Sequence, residues 1–218
     1  MARILITSGP TRQYLDPVRY LTNASSGRMG QSLAIAALEL GHDVIVISGP
    51  VQLTYPSACH VIPIVSTEDL LRECQRMFPQ VDGVIGCAAP CDYRPHRVEE
   101  HKIVKTGQPL VLNLIETADV MATLGLQKKP HQWLVGFALE TTDARFRALV
   151  KMEKKSCDLM VLNGPEAIDS LANSVELLDA QGRTVASLTG DKLAVARGIL
   201  AVIQQRFATR DTINPQTT

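Results

Sequence analysis

Short apolar runs alternate along the chain with longer stretches in which apolar residues recur every three or four positions. That alternation predicts strands joined by helical crossovers onto a parallel sheet. Six runs predict core strands, at residues 4–7, 44–48, 60–65, 83–88, 133–138 and 159–163. Their Val, Ile and Leu content suits strands covered on both faces. Residues 27–40 read as a helix with Met29, Leu33, Ala36, Ala37 and Leu40 on one face and Gly41 as its left-handed stop. Residues 66–78 read as a second helix, with Ser66 as cap and Glu68 and Asp69 in its positively polarised first turn. Further helices are expected over 118–126 and 142–155. Residues 175–178 and 184–188 read as a hairpin around Ala180, Gln181 and Gly182, ahead of an amphipathic helix over about 191–207. Residues 208–218 are polar and read as a frayed tail.

The expected fold is α/β: one domain over residues 1–207, built on a doubly wound, mostly parallel, Rossmann-like sheet with a long flap loop and a C-terminal hairpin. Two connections exceed the roughly 2–6 residues usual in such folds. One spans residues 8–26; the other spans 89–117 and carries Arg94, Arg97, Lys102 and Lys105. Long loops at strand carboxyl ends, beside the switch point of the sheet, are where ligands bind in this architecture.

Composition narrows the classes. Lys plus Arg and Asp plus Glu number 22 each in 218 residues, for a net charge of zero. That balance argues against a bulk nucleic-acid or membrane-surface binder. The five cysteines (Cys59, Cys74, Cys87, Cys91, Cys157) lack a paired framework, which suits a reduced, cytoplasmic protein. No His or Cys pattern reads as a zinc site. The N-terminus has no signal-type apolar stretch, and no run approaches the roughly 20 residues of a membrane span.

Three segments carry candidate chemistry. In Asn23-Ala-Ser25-Ser26-Gly27-Arg-Met-Gly30, hydroxyls and a glycine at a helix start offer backbone N–H groups to an anion. An ordinary serine cap, with glycines for close packing, explains the same residues. Lys102 and Lys105 fit either a mobile flap closing over phosphates or a solvated charged loop. Gly86-Cys-Ala88-Ala-Pro-Cys-Asp92 puts small residues at a strand end, where a ligand can approach the backbone, and Asp92 is either a ligand acceptor or a turn residue. Lys151 and Lys155, four apart, can point to one spot on a helix. A dinucleotide fingerprint fits poorly: Gly9, Gly27 and Gly30 do not form the compact glycine turn, and no acidic residue closes the second strand. Hydrolase, zincin and P-loop patterns are absent.

Taken in order, these segments resemble the synthetase domain of the bacterial phosphopantothenate–cysteine ligase family. The resemblance rests on Ile4-Leu-Ile-Thr-Ser-Gly-Pro-Thr-Arg12, Leu15-Asp-Pro-Val-Arg-Tyr20, Asn23-x-Ser-Ser-Gly-Arg-Met-Gly30 and Val46-x-Ser-Gly-Pro-Val51. It continues through Gly86-Cys-Ala-Ala89, Asp92-Tyr-Arg94, Lys102-Ile-x-Lys105, Val135-Gly-Phe-Ala138, Glu140-Thr141, Asp158-Leu159 and Asn163. It covers roughly residues 3–178. The chain departs from the family pattern at Pro90, Cys91, Val104, Thr117, Ala118, Gly164 and Pro165.

The resemblance implies a two-step ligation. The carboxylate of 4′-phosphopantothenate attacks CTP (or ATP in its place), releasing pyrophosphate, and the amine of cysteine then displaces CMP. Mg2+ would accompany the triphosphate. Carried over by position, Asn23 would hydrogen-bond the acyl intermediate, Arg19 would serve the cysteine step, and Lys102 would stabilise phosphates during activation. Ala88, Asp92 and Phe137 would line the nucleoside pocket. Lys151, Lys155 and the helix start at Ala118, Asp119, Val120 and Met121 would meet nucleotide phosphates. Ser25, Ser26 and Gly27 would hold the substrate phosphate. The family implies a homodimer with the flap near the subunit boundary. Many relatives carry an amino-terminal flavin-dependent decarboxylase domain, and that activity is expected to be absent from this chain. A paralogous ligase for another carboxylate and a nicotinamide-binding Rossmann protein are the alternatives.

Overall fold

A strand that reads Ile-Leu-Ile cannot face water on either side, and Ile4, Leu5 and Ile6 are wholly buried. The structure, a computed structural model, describes residues 1–139, 142–163 and 172–207. The expected polar tail, Glu140-Thr141 and Gly164-Pro165 lie outside the described residues. The chain runs β1 (Arg3–Ser8), β2 (Arg12–Tyr14), β3 (Tyr20–Thr22), α1 (Arg28–Glu39), β4 (Asp43–Ser48), β5 (His60–Pro63) and α2 (Thr67–Met77). It continues through β6 (Gly83–Gly86), β7 (Tyr93–Pro95), β8 (Leu114–Glu116), α3 (Val120–Gln127), β9 (Trp133–Leu139) and α4 (Ala144–Lys154). It closes with β10 (Leu159–Asn163), β11 (Ala172–Asp179), β12 (Thr184–Asp191) and α5 (Lys192–Phe207).

One sheet has the order β12-β11-β10-β9-β6-β1-β4-β5. The six strands from β10 to β5 pair in parallel, and β11 and β12 extend the sheet as an antiparallel hairpin. In chain order the parallel strands stand 3-2-1-4-5-6, the doubly wound arrangement, which places the switch point between β1 and β6. Side chains alternate between two layers. Ile4 and Ile6 face α1 and α5, against Leu33, Ala37, Ile199 and Leu200. Leu5 faces the other way, into the layer of α2, α3 and α4 with Leu70, Leu124 and Met152.

The helix ends behave as the sequence predicts. Ser66 and Asp69 form a reciprocal capping box on α2, both bonds 3.0 Å. At the end of α1, Gly41 (φ 76) donates to Leu38 O and His42 to Ala37 O, the paired bonds of a Schellman stop.

Three expectations need correction. The buried arc of α1 is Leu33, Ala34, Ala36 and Ala37, whereas Leu40 is 41% exposed. The helix is covered by both the sheet and α5, so its inner arc is broad, and the chain has already turned outward at Leu40. The expected strand over 60–65 stops at Pro63 and is largely exposed, because β5 is an edge strand. The two long connections are not plain loops: β2 pairs with β3, and β7 with β8, as short antiparallel ribbons. Three-residue strands are too short to leave a periodic signature.

Gly83 marks a contact that only glycine permits. A Cβ there would lie 2.0 Å from the Trp133 ring, which is itself stacked on Phe207 at 5.3 Å between centroids. Gly83→Ala is expected to destabilise the fold by about 1–3 kcal/mol, the usual cost of overpacking. Urea unfolding checks this, with the midpoint falling at an unchanged m-value.

Candidate active site

The carboxyl ends of β1, β6, β9 and β10 open into a cleft of about 710 Å3. Its floor is tied to β1: Cys87 N donates to Thr7 O (3.2 Å), Ala88 N to Thr7 Oγ1 (3.2 Å) and Ala89 N to Gly9 O (2.9 Å). The approach to Gly86 is tight, since a Cβ there would stand 2.5 Å from Met121 Sδ. Small residues at this strand end therefore let α3 come close.

The start of α1 forms one wall. Gly27, in the left-handed region at φ 75, is the N-cap, and no side chain caps the helix. The serine-cap reading of Ser25 and Ser26 is thereby excluded, and the helix start faces the cleft without an internal cap. Gly30 sits on Ser8, whose Oγ would be 2.1 Å from an added Cβ and donates to Gly27 O at 3.2 Å. Asn23 spends both amide hydrogens on the carbonyls of Pro90 (2.9 Å) and Ala89 (3.3 Å), which leaves Oδ1 as its acceptor toward a ligand.

The turn after β1 is packed against the loop after β4. Cβ atoms added to Gly9 or Gly27 would meet Val51 Cγ1 at 2.7 and 2.9 Å. Val51 thus packs against both glycines, which serve close contact with the loop after β4.

The opposite wall is cationic. Asp119 is the N-cap of α3 and accepts from Ala122 N at 3.1 Å. Lys155 reaches the same carboxylate at 3.1 Å and Lys154 at 3.9 Å. Lys151, Lys154 and Lys155 stand at the negatively polarised end of α4, where lysines are favoured. Burial alone would raise the Asp119 carboxyl, but the Ala122 amide and the two lysines outweigh it and hold it below its ordinary 3.8. Arg28, Lys151, Lys154, Lys155 and Lys192 line the cleft against Asp92, Glu116 and Asp119, so the cavity favours anions.

Of the residues singled out by sequence, the cleft gathers Asn23, Ser25, Ser26, Gly27, Ala88, Asp92, Ala118, Asp119, Val120, Met121, Phe137, Lys151 and Lys155. Lys102 and Arg19 stand apart. Lys102 lines a second hollow of about 570 Å3 in the flap with Leu15, His96 and Val111. Arg19 is engaged on Asp16 (2.8 Å) and on the carbonyl of Ile103. Sequence reasoning missed Lys154 as a cleft residue, because it followed the four-residue spacing and not the three-residue one. It missed Lys192 too, which no local pattern marks. Asn163, quoted only within a motif, lines the cleft with a buried Oδ1 that has no hydrogen-bond partner among the described residues.

Burial disfavours the thiolate form of the cysteine in the cleft. Burial pushes Cys87 up to about 12 despite Lys192, and Cys91 is a buried free thiol directed at the carbonyls of Thr11 and Leu21. Among the described residues no three His, Cys, Asp or Glu side chains group to hold a metal, and no helix is long and apolar enough to cross a membrane.

A family model described as the DNA/pantothenate metabolism flavoprotein C-terminal domain matches residues 1–207. The coenzyme A biosynthesis bifunctional protein CoaBC of Vibrio vulnificus (strain YJ016) is 37% identical over 207 residues, 92% of this chain and 51% of that protein. Its counterpart in Bacillus subtilis (strain 168) is 43% identical over 165 residues, 75% of this chain and 40% of that protein. The chain therefore spans about half the length, or less, of these curated relatives. The crystal structure of the C-terminal domain of a CoaBC protein matches with a TM-score of 0.79 at 36% identity, covering 94% of this chain and 95% of that one.

Asp119 makes the acid stability of this wall testable. Its depressed pKa stabilises the fold at neutral pH, and that contribution is lost as pH falls below 3.8 through the lower folded value. Asparagine caps helices as well as aspartate does, so Asp119→Asn removes the charge alone. The variant is expected to be less stable at pH 7 by about 0.5–1 kcal/mol. The gap should close as pH falls below 3.8 in denaturant titrations; a gap independent of pH would refute the lysine pairing.

Proposed function

The chain belongs to the DNA/pantothenate metabolism flavoprotein C-terminal domain family, and from that premise we propose that it joins 4′-phosphopantothenate to cysteine in coenzyme A biosynthesis. The observation that carries the reading is one cleft with two anion-favouring walls, an uncapped helix start and a lysine-rich helix end, set at the switch point of the sheet. Two anionic reactants, a phosphorylated acid and a nucleoside triphosphate, suit such a cleft.

In the proposed reaction a carboxylate oxygen of phosphopantothenate attacks the α-phosphorus of CTP, and pyrophosphate leaves. The acyl-cytidylate then takes the cysteine amine at its carbonyl carbon, and CMP leaves with the bonding pair. The protein positions the reactants and neutralises moving charge. Ser25, Ser26 and Gly27 receive the substrate phosphate at the start of α1. Asn23 presents Oδ1 to the acyl intermediate. Ala88, Asp92 and Phe137 line the nucleoside pocket, while Lys151, Lys155 and the α3 start from Ala118 to Met121 meet the phosphates. Lys154 joins them on the strength of its place in the cleft. Lys102 neutralises phosphate charge during activation, and Arg19 serves the cysteine step.

Mg2+ would arrive with the triphosphate, where it would neutralise charge. A homodimer accounts for the flap, where Lys102 stands outside its own cleft and Val104 and Val111 are 77% and 82% exposed. The balanced charge and the cysteine usage suit the cytoplasm.

Incubation with CTP, Mg2+, phosphopantothenate and cysteine, followed by mass spectrometry, is expected to yield phosphopantothenoylcysteine and CMP. Formation of neither product would overturn the reading. Parallel runs with ATP settle the nucleotide. Lys102→Gln is expected to slow pyrophosphate release by about 10²–10³-fold, the usual cost of losing a charge aimed at the transition state. Its urea midpoint should not move, since Lys102 is exposed.

A further inference from the structure

The flap that carries Lys102 is held at one point. Between residues 100 and 112, the backbone hydrogen bonds among the described residues are those of Ile103 and a long one from Gln108 N to Thr106 Oγ1, at 3.4 Å. Both sides of the Ile103 backbone are engaged. Its N–H donates to Asp16 Oδ2 at 3.1 Å, and its carbonyl accepts from the Arg19 guanidinium.

Asp16 is built for this grip. Its side chain is wholly buried, and a carboxylate withdrawn from water is costly unless fully partnered. Oδ1 accepts from Val18 N and Arg19 N, both at 2.8 Å, which closes the turn between β2 and β3. Oδ2 meets Arg19 Nε at 2.9 Å and Nη2 at 2.8 Å, and also accepts from Ile103 N. Burial alone would raise this carboxyl, yet the amides of Val18, Arg19 and Ile103 and the charge of Arg19 hold it at about 2. The clasp therefore stays charged throughout the neutral range.

Ile103 is the residue next to Lys102. We propose that Asp16 is a positioning residue for Lys102: with Arg19 it grips the Ile103 backbone, and so fixes the base from which the flap lysine reaches the nucleotide. The proposal rests on the ligase reading of Lys102 given above. It also gives Arg19 its part. Its guanidinium is engaged on Asp16 and the Ile103 carbonyl, so it shares the grip on the flap beside its part in the cysteine step.

Two measurements test this, and only one of them needs activity. In the unmodified protein, the Ile103 amide is expected to exchange hydrogen more slowly than those of Lys102 and Val104, and Asp16→Asn should abolish that protection while leaving β1 amides unchanged. An Ile103 amide that exchanges as fast as its neighbours in the unmodified protein would overturn the clasp, whether or not the chain ligates. In a double-mutant cycle, Asp16→Asn is expected to slow pyrophosphate release by about 10²-fold, as misplacing a catalytic group does. In the Lys102→Gln background it should slow the reaction no further. Equal slowing in both backgrounds would make Asp16 a residue of general structure and overturn the proposal. A protected Ile103 in a chain that releases no pyrophosphate would leave the clasp standing and sink the ligase reading instead.

Discussion

Everything at the cleft hangs from the last residues of β1. A parallel strand ends with carbonyls and amides that the sheet no longer pairs, and buried groups of this kind must find partners. Thr7 supplies its carbonyl to Cys87 N and its hydroxyl to Ala88 N, and Gly9 O takes Ala89 N. Ser8 turns the other way, donating through Oγ to Gly27 O and accepting Gly49 N at its carbonyl. Three consecutive residues thereby hold the loop after β6, the start of α1 and the loop after β4. Because the crossovers leave β1 and β6 on opposite faces, these loops diverge, and the space between them is the cleft. Asn23 then bridges the gap from the α1 side to the carbonyls of Ala89 and Pro90.

Charge inside that space is arranged to survive without a ligand. Three lysines crowded at the end of α4 would repel one another, and Asp119 relieves this by meeting Lys155 and, at longer range, Lys154. The same carboxylate caps α3, so one side chain satisfies a helix end and moderates a cationic wall. A polyanion competing for those lysines leaves the cap bond intact, because the Ala122 amide is fixed in the helix. Across the cleft the α1 start adds oriented peptide groups behind a left-handed glycine to the single charge of Arg28.

Much of the fold was legible because its strands and helices obey local rules. Continuous Ile and Val runs gave the buried strands, Ser66 and Gly41 gave helix ends, and the hairpin turn was placed at its glycine. The cleft residues were legible as ordered motifs. What escaped was decided by tertiary contacts. Whether β5 lies inside the sheet or at its edge depends on the strand order, which local pattern does not carry. Leu40 reads as core on periodicity but lies where the chain turns outward. Lys192 reaches the cleft because α5 starts at the same end of the sheet, some hundred residues of chain after the loop that it faces. Asp16 looks like a turn residue, and its second task depends on a backbone atom 87 residues away.

That long-range bond bears on why, in the proposed ligation, a flap would carry a catalytic cation at all. An acyl-nucleotidylate is open to water as well as to an amine, so a site that forms one gains from charge and cover that come with the substrates. A flap that reaches far enough to cover a cleft wanders too widely to aim an ammonium group. Dividing the tasks resolves the conflict. Residues 104–112 make few backbone bonds and expose Val104 and Val111, so they can adapt to the surface that covers them. Ile103, held by a buried carboxylate and a guanidinium, gives the adjoining Lys102 a fixed origin. Lysine suits such a mount because its charge is compact and its stem flexible, so it can follow a moving phosphate where the planar fork of arginine would have to be realigned. With the backbone anchored one residue away, the length of the lysine stem, and not the excursion of the flap, limits where the charge can go.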